Sequence, residues 1–130
     1  MAIEGTWEMI SSDNYGEYLK AAGVGLIQRN ALEKSSMTEE LASADGRWEL
    51  SVRTQVKTTK VSFTLGVDFE TVAADGRTVT ACFTRDGDTL VEVQEIGGER
   101  VQVFRKYGPS EMTAAYSAKG VTATRVFKRL

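Results

Sequence analysis

From about residue 37 onward, apolar and polar residues alternate with a period of two, and turn dipeptides interrupt the alternation at regular spacing. Trp48, Leu50 and Val52 alternate with Glu49, Ser51 and Arg53, and Val61, Phe63 and Leu65 with Ser62 and Thr64. Val79, Ala81 and Phe83 alternate with Thr80, Cys82 and Thr84, and Val91 and Val93 with Glu92 and Gln94. Period two is the signature of a strand, because successive side chains point to opposite faces of a sheet. Between the runs lie Asp45-Gly46, Asp75-Gly76, Asp86-Gly87, Gly97-Gly98 and Lys119-Gly120. Two-residue hairpin turns need positive φ, which Gly and Asp tolerate. Counting runs between turns gives nine strands, with one more near the N-terminus. Ten antiparallel strands on short turns predict an all-β, up-and-down barrel, since closure removes exposed sheet edges.

The first segment, Ile3 to Ser11, centres on Gly5-Thr6-Trp7. A helical stretch follows it. Asn14 and Glu17 have capping-box spacing, with a side-chain acceptor at the N-cap and a carboxylate three residues on. Tyr15, Tyr18, Leu19 and Ala22 then share one helical face, and Gly23 reads as a stop. After Val24-Gly25 a second face appears in Leu26, Ile27, Asn30 and Ala31. The pattern predicts two short helices joined by a tight turn at about residues 14–34. The single proline, Pro109, sits in a turn. No linker or low-complexity tract divides residues 1–130, so one domain is expected.

Composition removes whole classes of chemistry. The chain has no histidine, which excludes Ser-His-Asp and Cys-His catalysis and histidine-based zinc sites. Cys82 is the one cysteine, so neither an intramolecular disulfide nor a four-cysteine metal site is available. It faces opposite the Val79, Ala81, Phe83 stripe, and nothing marks it as a reactive thiol. Asp68, Glu70 and Asp75 read as a solvated face with no nucleophile beside them. Sixteen basic against eighteen acidic residues make a nucleic-acid partner unexpected. The N-terminus carries no basic segment followed by an apolar run, and no stretch approaches 18 apolar residues. A cytoplasmic, non-enzymatic chain without cofactor or metal is the expectation.

Gly5-Thr6-Trp7 followed by Asn14-Tyr15 and Glu17-Tyr18-Leu19-Lys20 resembles the N-terminal signature of the intracellular lipid-binding proteins, which include the fatty-acid-binding and cellular retinoid-binding proteins. The similarity continues through Val61 to Phe69, through Asp75-Gly76-Arg77, and into Thr124-Arg125-Val126-Phe127-Lys128. It covers essentially the whole chain. The resemblance implies a ten-stranded clam-like barrel with a helix-turn-helix lid, a monomer, and one amphipathic ligand held inside. One departure lies in the signature itself, where Gly16 replaces an acidic residue. That position is expected on the outer face of the first helix, at a propensity cost of about 1 kcal/mol.

Members that bind fatty acids or retinoic acid carry two arginines and a tyrosine deep in the barrel. The match places the arginines at Arg105 and Arg125 and the tyrosine position at Phe127. Alternation puts Val121, Ala123, Arg125 and Phe127 on one face, and Val101, Val103 and Arg105 on another. Periodicity alone leaves open whether these faces point inward or to solvent; the resemblance implies inward. A guanidinium buried there calls for a partner, and a ligand carboxylate meets its planar fork with two parallel hydrogen bonds. Phe127 cannot give the third hydrogen bond of a tyrosine. Retinol-binding members carry glutamine at the two arginine positions, so Arg105 and Arg125 argue for an acid: a long-chain fatty acid, or alternatively a retinoid or a bile- or sterol-type acid. By the family's contact pattern, Tyr15, Tyr18, Leu19 and Val24 reach the ligand from the helices, and Val56, Lys57, Ala74 and Asp75 form the entrance. Ala114 and Tyr116 lie along the wall, where the small Ala114 would widen the cavity. Trp7 and Trp48 read as core. Lys20, Arg29 and Lys34 put positive charge near the lid, diluted by Glu17 and Glu33, which by the resemblance allows transient contact with anionic membranes.

Overall fold

The computed structural model describes residues 2–73 and 76–130. Strand β1 (Gly5–Asp13) leads into helices α1 (Tyr15–Ala21) and α2 (Leu26–Lys34). Then come β2 (Met37–Ala44), β3 (Arg47–Thr54), β4 (Thr58–Phe63), β5 (Phe69–Val72) and β6 (Thr78–Asp86). The chain ends with β7 (Thr89–Ile96), β8 (Glu99–Tyr107), β9 (Glu111–Ala118) and β10 (Val121–Arg129). The ten strands form one antiparallel sheet in the order β4-β3-β2-β1-β10-β9-β8-β7-β6-β5. Pairing of β1 with β10 joins the two ends of the chain, so the sheet wraps into a barrel. Only β4 and β5 lack a hydrogen-bonded ladder between them among the described residues. The stacked rings of Phe63 and Phe83, 3.9 Å apart, with Phe69 6.2 Å from Phe83, fill part of that gap.

The expected turns form. Asp45-Gly46 has φ of 52° and 78°, and Lys119-Gly120 has 48° and 79°, the doubly positive pattern that a right-twisted hairpin requires. Asp75 lies outside the described residues. One end of the barrel is packed shut by Ile3, Trp7, Tyr107, Met112 and Phe127, each 1% exposed or less. Trp7 meets Tyr107 edge to face at 5.2 Å, while the Arg129 guanidinium covers its other side at 4.2 Å. Trp48 is buried and pairs with Phe63 across strands. Both tryptophans are therefore core residues. Cys82 is partly buried, and burial, with Asp68 beside it, pushes its thiol pKa up, away from the reactive range.

Four local expectations are corrected. On β7 the inward face is Leu90 and Glu92, not Val91 and Val93, because Leu90 opposes Arg105 and Glu92 opposes Val103 in the β8 register. Residues directly opposite share a face of the sheet, so the register outranks local hydrophobicity. Asn14 adopts φ 63° and makes no capping hydrogen bond; its Nδ2 instead donates to the Thr122 carbonyl at 3.0 Å, tying the lid to β10. On α2, Leu26 and Ile27 are 60% and 86% exposed, and Leu32 is the buried residue. That helix meets α1 where Glu33 lies beside Gly16, which turns the Leu26–Ile27 side outward. Gly16 accordingly faces α2 rather than open solvent: a Cβ there would meet the Glu33 carboxylate.

Candidate functional site

The cavity lies under the lid, between the two halves of the sheet. Helix α1 buries Tyr15, Tyr18 and Leu19 toward it. Tyr15 and Tyr18 close on Tyr116 of β9 with ring centroids 5.1 and 5.2 Å away. Aliphatic residues of β3, β4, β6 and β8, such as Leu50, Val52, Val61 and Val103, form much of the wall. At the rim stand Val24, Lys57 and Arg77, and Arg77 Nη2 donates to the Ala22 carbonyl at 2.8 Å, linking the lid to the β5–β6 connection.

Against this apolar wall sits a buried ionic cluster. Arg105 is 4% exposed, Glu39 1% and Glu92 8%. Arg105 Nε donates to Glu39 Oε1 at 2.9 Å and Nη2 to Oε2 at 3.4 Å, while Nη1 donates to Glu92 Oε1 at 2.8 Å. Gln94 Nε2 donates to the other oxygen of Glu92 at 2.5 Å. Glu39 belongs to β2 and Arg105 to β8, with β1, β10 and β9 between them in the sheet. The bridge therefore crosses the barrel lumen. Burial opposes the charge on Arg105, but Glu39 and Glu92 outweigh it and hold its pKa well above the ordinary arginine value.

Arg125 has a different environment. It is 0% exposed, yet it lies off the cavity wall. The Tyr15 ring covers its guanidinium at 3.4 Å, a cation–π geometry worth about 2 kcal/mol when desolvated. A shift in register between Met9 and Ser11 brings Ser12 opposite Arg125, and Nε donates to Ser12 Oγ at 3.0 Å. Nη1 approaches the Met37 sulfur at 3.8 Å, and Nη2 has no partner. The hydroxyls of Tyr116 and Tyr107 are also buried without partners. Burial raises the pKa of Tyr15, Tyr18 and Tyr116, so all three stay neutral donors.

Of the residues singled out from the sequence, Tyr15, Tyr18, Leu19, Val24, Lys57, Arg105 and Tyr116 line one cavity. Four other candidates stand elsewhere. Val56 is 51% exposed in the β3–β4 turn, off the cavity wall. Ala114 is fully buried on β9, opposite Arg105 on one side and Arg125 on the other. Its small side chain spaces the two arginines and does not widen the cavity. Phe127 packs into the closed end, opposite Met9 and Met112. Arg125 lies behind Tyr15. Ala74 and Asp75 fall outside the described residues. Sequence reasoning missed Glu39, Glu92 and Gln94. The signal was available in Met37-x-Glu39-x-Leu41 and Leu90-x-Glu92, where a carboxylate interrupts an apolar stripe at period two.

Replacing Arg105 by Met is predicted to leave two buried carboxylates unpaired and to destabilise the fold by about 3–5 kcal/mol in urea unfolding. Adding Glu39→Gln and Glu92→Gln to that variant restores most of the loss. Equal stability of the single and triple variants would show that the ion triad does not carry the effect.

Comparison with known proteins is consistent in sequence and structure. Residues 4–130 match the family model described as the lipocalin / cytosolic fatty-acid binding protein family. A protein named fatty acid-binding protein from Tyrophagus putrescentiae is 31% identical over 128 residues, covering 98% of this chain and 97% of the relative. Sodium/calcium exchanger regulatory protein 1 of Doryteuthis pealeii is 29% identical over 128 residues, with 98% and 96% covered. The crystal structure of a fatty acid-binding protein from Drosophila melanogaster brain tissue superposes with a TM-score of 0.92 at 30% identity, covering 98% of this chain and 99% of the other. With the barrel, the lid and the polar cluster inside it, the match over nearly the full length places this chain in the lipocalin / cytosolic fatty-acid binding protein family.

Proposed function

We propose that the chain is a non-enzymatic carrier that holds one long-chain fatty acid, or a similar amphipathic lipid, inside the barrel. The observation that carries the reading is a cavity with an apolar wall that ends on a buried polar cluster, the complement of a molecule with a long tail and a small head. Relatives named fatty acid-binding proteins support the choice of ligand class. Each buried methylene contributes about 0.8 kcal/mol before the costs of ordering, so an acyl chain supplies ample gross affinity. The head group lies at the Arg105 end, with Tyr116 close by. Arg125 adds positive potential from behind Tyr15 and reaches the ligand directly only if that ring turns aside. A bulkier retinoid or bile-type acid draws no support from Ala114 or Phe127, since neither lines the cavity.

Entry and release use the rim beneath α2. Leu26, Ile27, Val56 and Val72 are all at least half exposed, with Lys20, Lys34 and Lys57 as basic neighbours in sequence. An apolar edge flanked by lysines suits brief contact with an anionic bilayer, where each basic residue adds about 1 kcal/mol. The carrier then works as a monomer that exchanges its cargo at membranes.

Two measurements test this. Delipidated protein titrated with oleate is predicted to bind one molecule per chain and to return it unchanged after organic extraction; absence of uptake would overturn the carrier reading. Ile27→Asp is predicted to slow transfer of a fluorescent fatty acid to vesicles containing phosphatidylserine several-fold, leaving equilibrium affinity within about twofold. An unchanged transfer rate would remove the membrane step.

A further inference from the structure

The lumen already holds the counter-charges of its own arginines. Glu39 and Glu92 occupy three of the donor directions of Arg105, and their charges cancel those of Arg105 and Arg125 together. A lipid carboxylate entering this cluster would meet an arginine that is already paired and two carboxylates close to it. Among the described residues, the tyrosines facing the cluster from the other elements supply no further charge. Tyr15 and Tyr18 from α1, Tyr107 from β8 and Tyr116 from β9 are all neutral, their pKa values raised by burial. Lys57 and Arg77 stand at the rim of the cavity.

What the cluster offers is a pair of acceptors in the glutamates and an unsatisfied donor in the buried Tyr116 hydroxyl, which lines the same cavity. A head group that donates one hydrogen bond and accepts another fits both. We infer that Glu39 and Glu92 make this cavity take its lipid in an uncharged, hydrogen-bond-donating form, so that a fatty acid is bound together with one proton and a lipid alcohol is bound without one. This rests on the carrier reading and specifies the head group within it. The proton comes from solvent and ends on the ligand carboxyl, which donates it to Glu39 or Glu92 while its carbonyl oxygen accepts from Tyr116. One O–H bond forms on the ligand carboxyl as one breaks in the solvent acid, and no other covalent bond changes.

The test is calorimetric titration of the delipidated protein at about pH 8 in two buffers of different ionisation enthalpy, with oleate below its aggregation concentration and with oleyl alcohol. Uptake of about one proton per oleate is expected, with none for the alcohol, and oleate affinity falling up to about tenfold per pH unit while that of the alcohol stays flat. In Glu92→Gln the cluster gains one positive charge, so oleate is expected to bind without proton uptake; Glu39→Gln, on a different strand, should do the same. Oleate binding to the natural chain with no proton uptake overturns the inference and leaves the carrier intact. Uptake persisting in both variants removes the glutamates from the assignment. Failure of both oleate and oleyl alcohol to bind refutes the carrier reading itself.

Discussion

The ion triad of Arg105 with Glu39 and Glu92 organises the interior of this barrel. It joins β8 to β2 across the lumen through Glu39 at 2.9 Å, and to the neighbouring strand β7 through Glu92 at 2.8 Å. Taking three charges out of water costs several kcal/mol per ion, and the attraction between them recovers this only when the hydrogen bonds are well made. Here they are: the guanidinium meets one carboxylate through two nitrogens and the second through the third, and Gln94 satisfies the outer oxygen of Glu92. Such a cluster adds little net stability compared with an apolar core of the same volume. Its consequence is chemical: it leaves polar atoms standing in an otherwise apolar cavity.

The remainder of the structure divides around that cluster. Below it, Trp7, Tyr107, Met112 and Phe127 make a tightly packed closed end, braced from outside by Arg129, which donates to the carbonyls of Ala2, Glu4 and Pro109. Above it, the wall is aliphatic and the roof is the tyrosine trio of Tyr15, Tyr18 and Tyr116. The roof is also the cover over Arg125, whose guanidinium lies 3.4 Å from the Tyr15 ring. At the rim Arg77 is linked to Ala22 and Asn14 to Thr122. The unpaired β4–β5 edge lies on the same side as that rim, where Val72 is exposed.

Much of this was legible in the residues. The period-two runs and the turns between them point to ten strands, because hairpin geometry is a local property. Alternation puts Arg105 and Arg125 each on the face of an apolar stripe, but only the family resemblance turns those faces inward, where both are buried. What escaped was non-local. Glu92 was hidden because Val91 and Val93 look like the buried set, and only pairing with β8 decides between the two faces. Glu39 sits between Met37 and Leu41 in plain view, yet its partner is 66 residues away on a strand it does not touch in the sheet. The outward turn of Leu26 and Ile27 depends on how α2 lands against α1. The capping role of Asn14 was displaced by a contact with a residue 108 positions further on.

The most direct test of the account is a carbon NMR spectrum of oleate, labelled at its carboxyl carbon and bound to the delipidated protein, followed from about pH 6 to about pH 9. A head group held uncharged beside Glu39 and Glu92 gives one bound resonance at the chemical shift of a carboxylic acid, unchanged across that range and displaced by Glu92→Gln. A bound resonance at the shift of an ionised carboxylate, insensitive to Glu92→Gln, would contradict it.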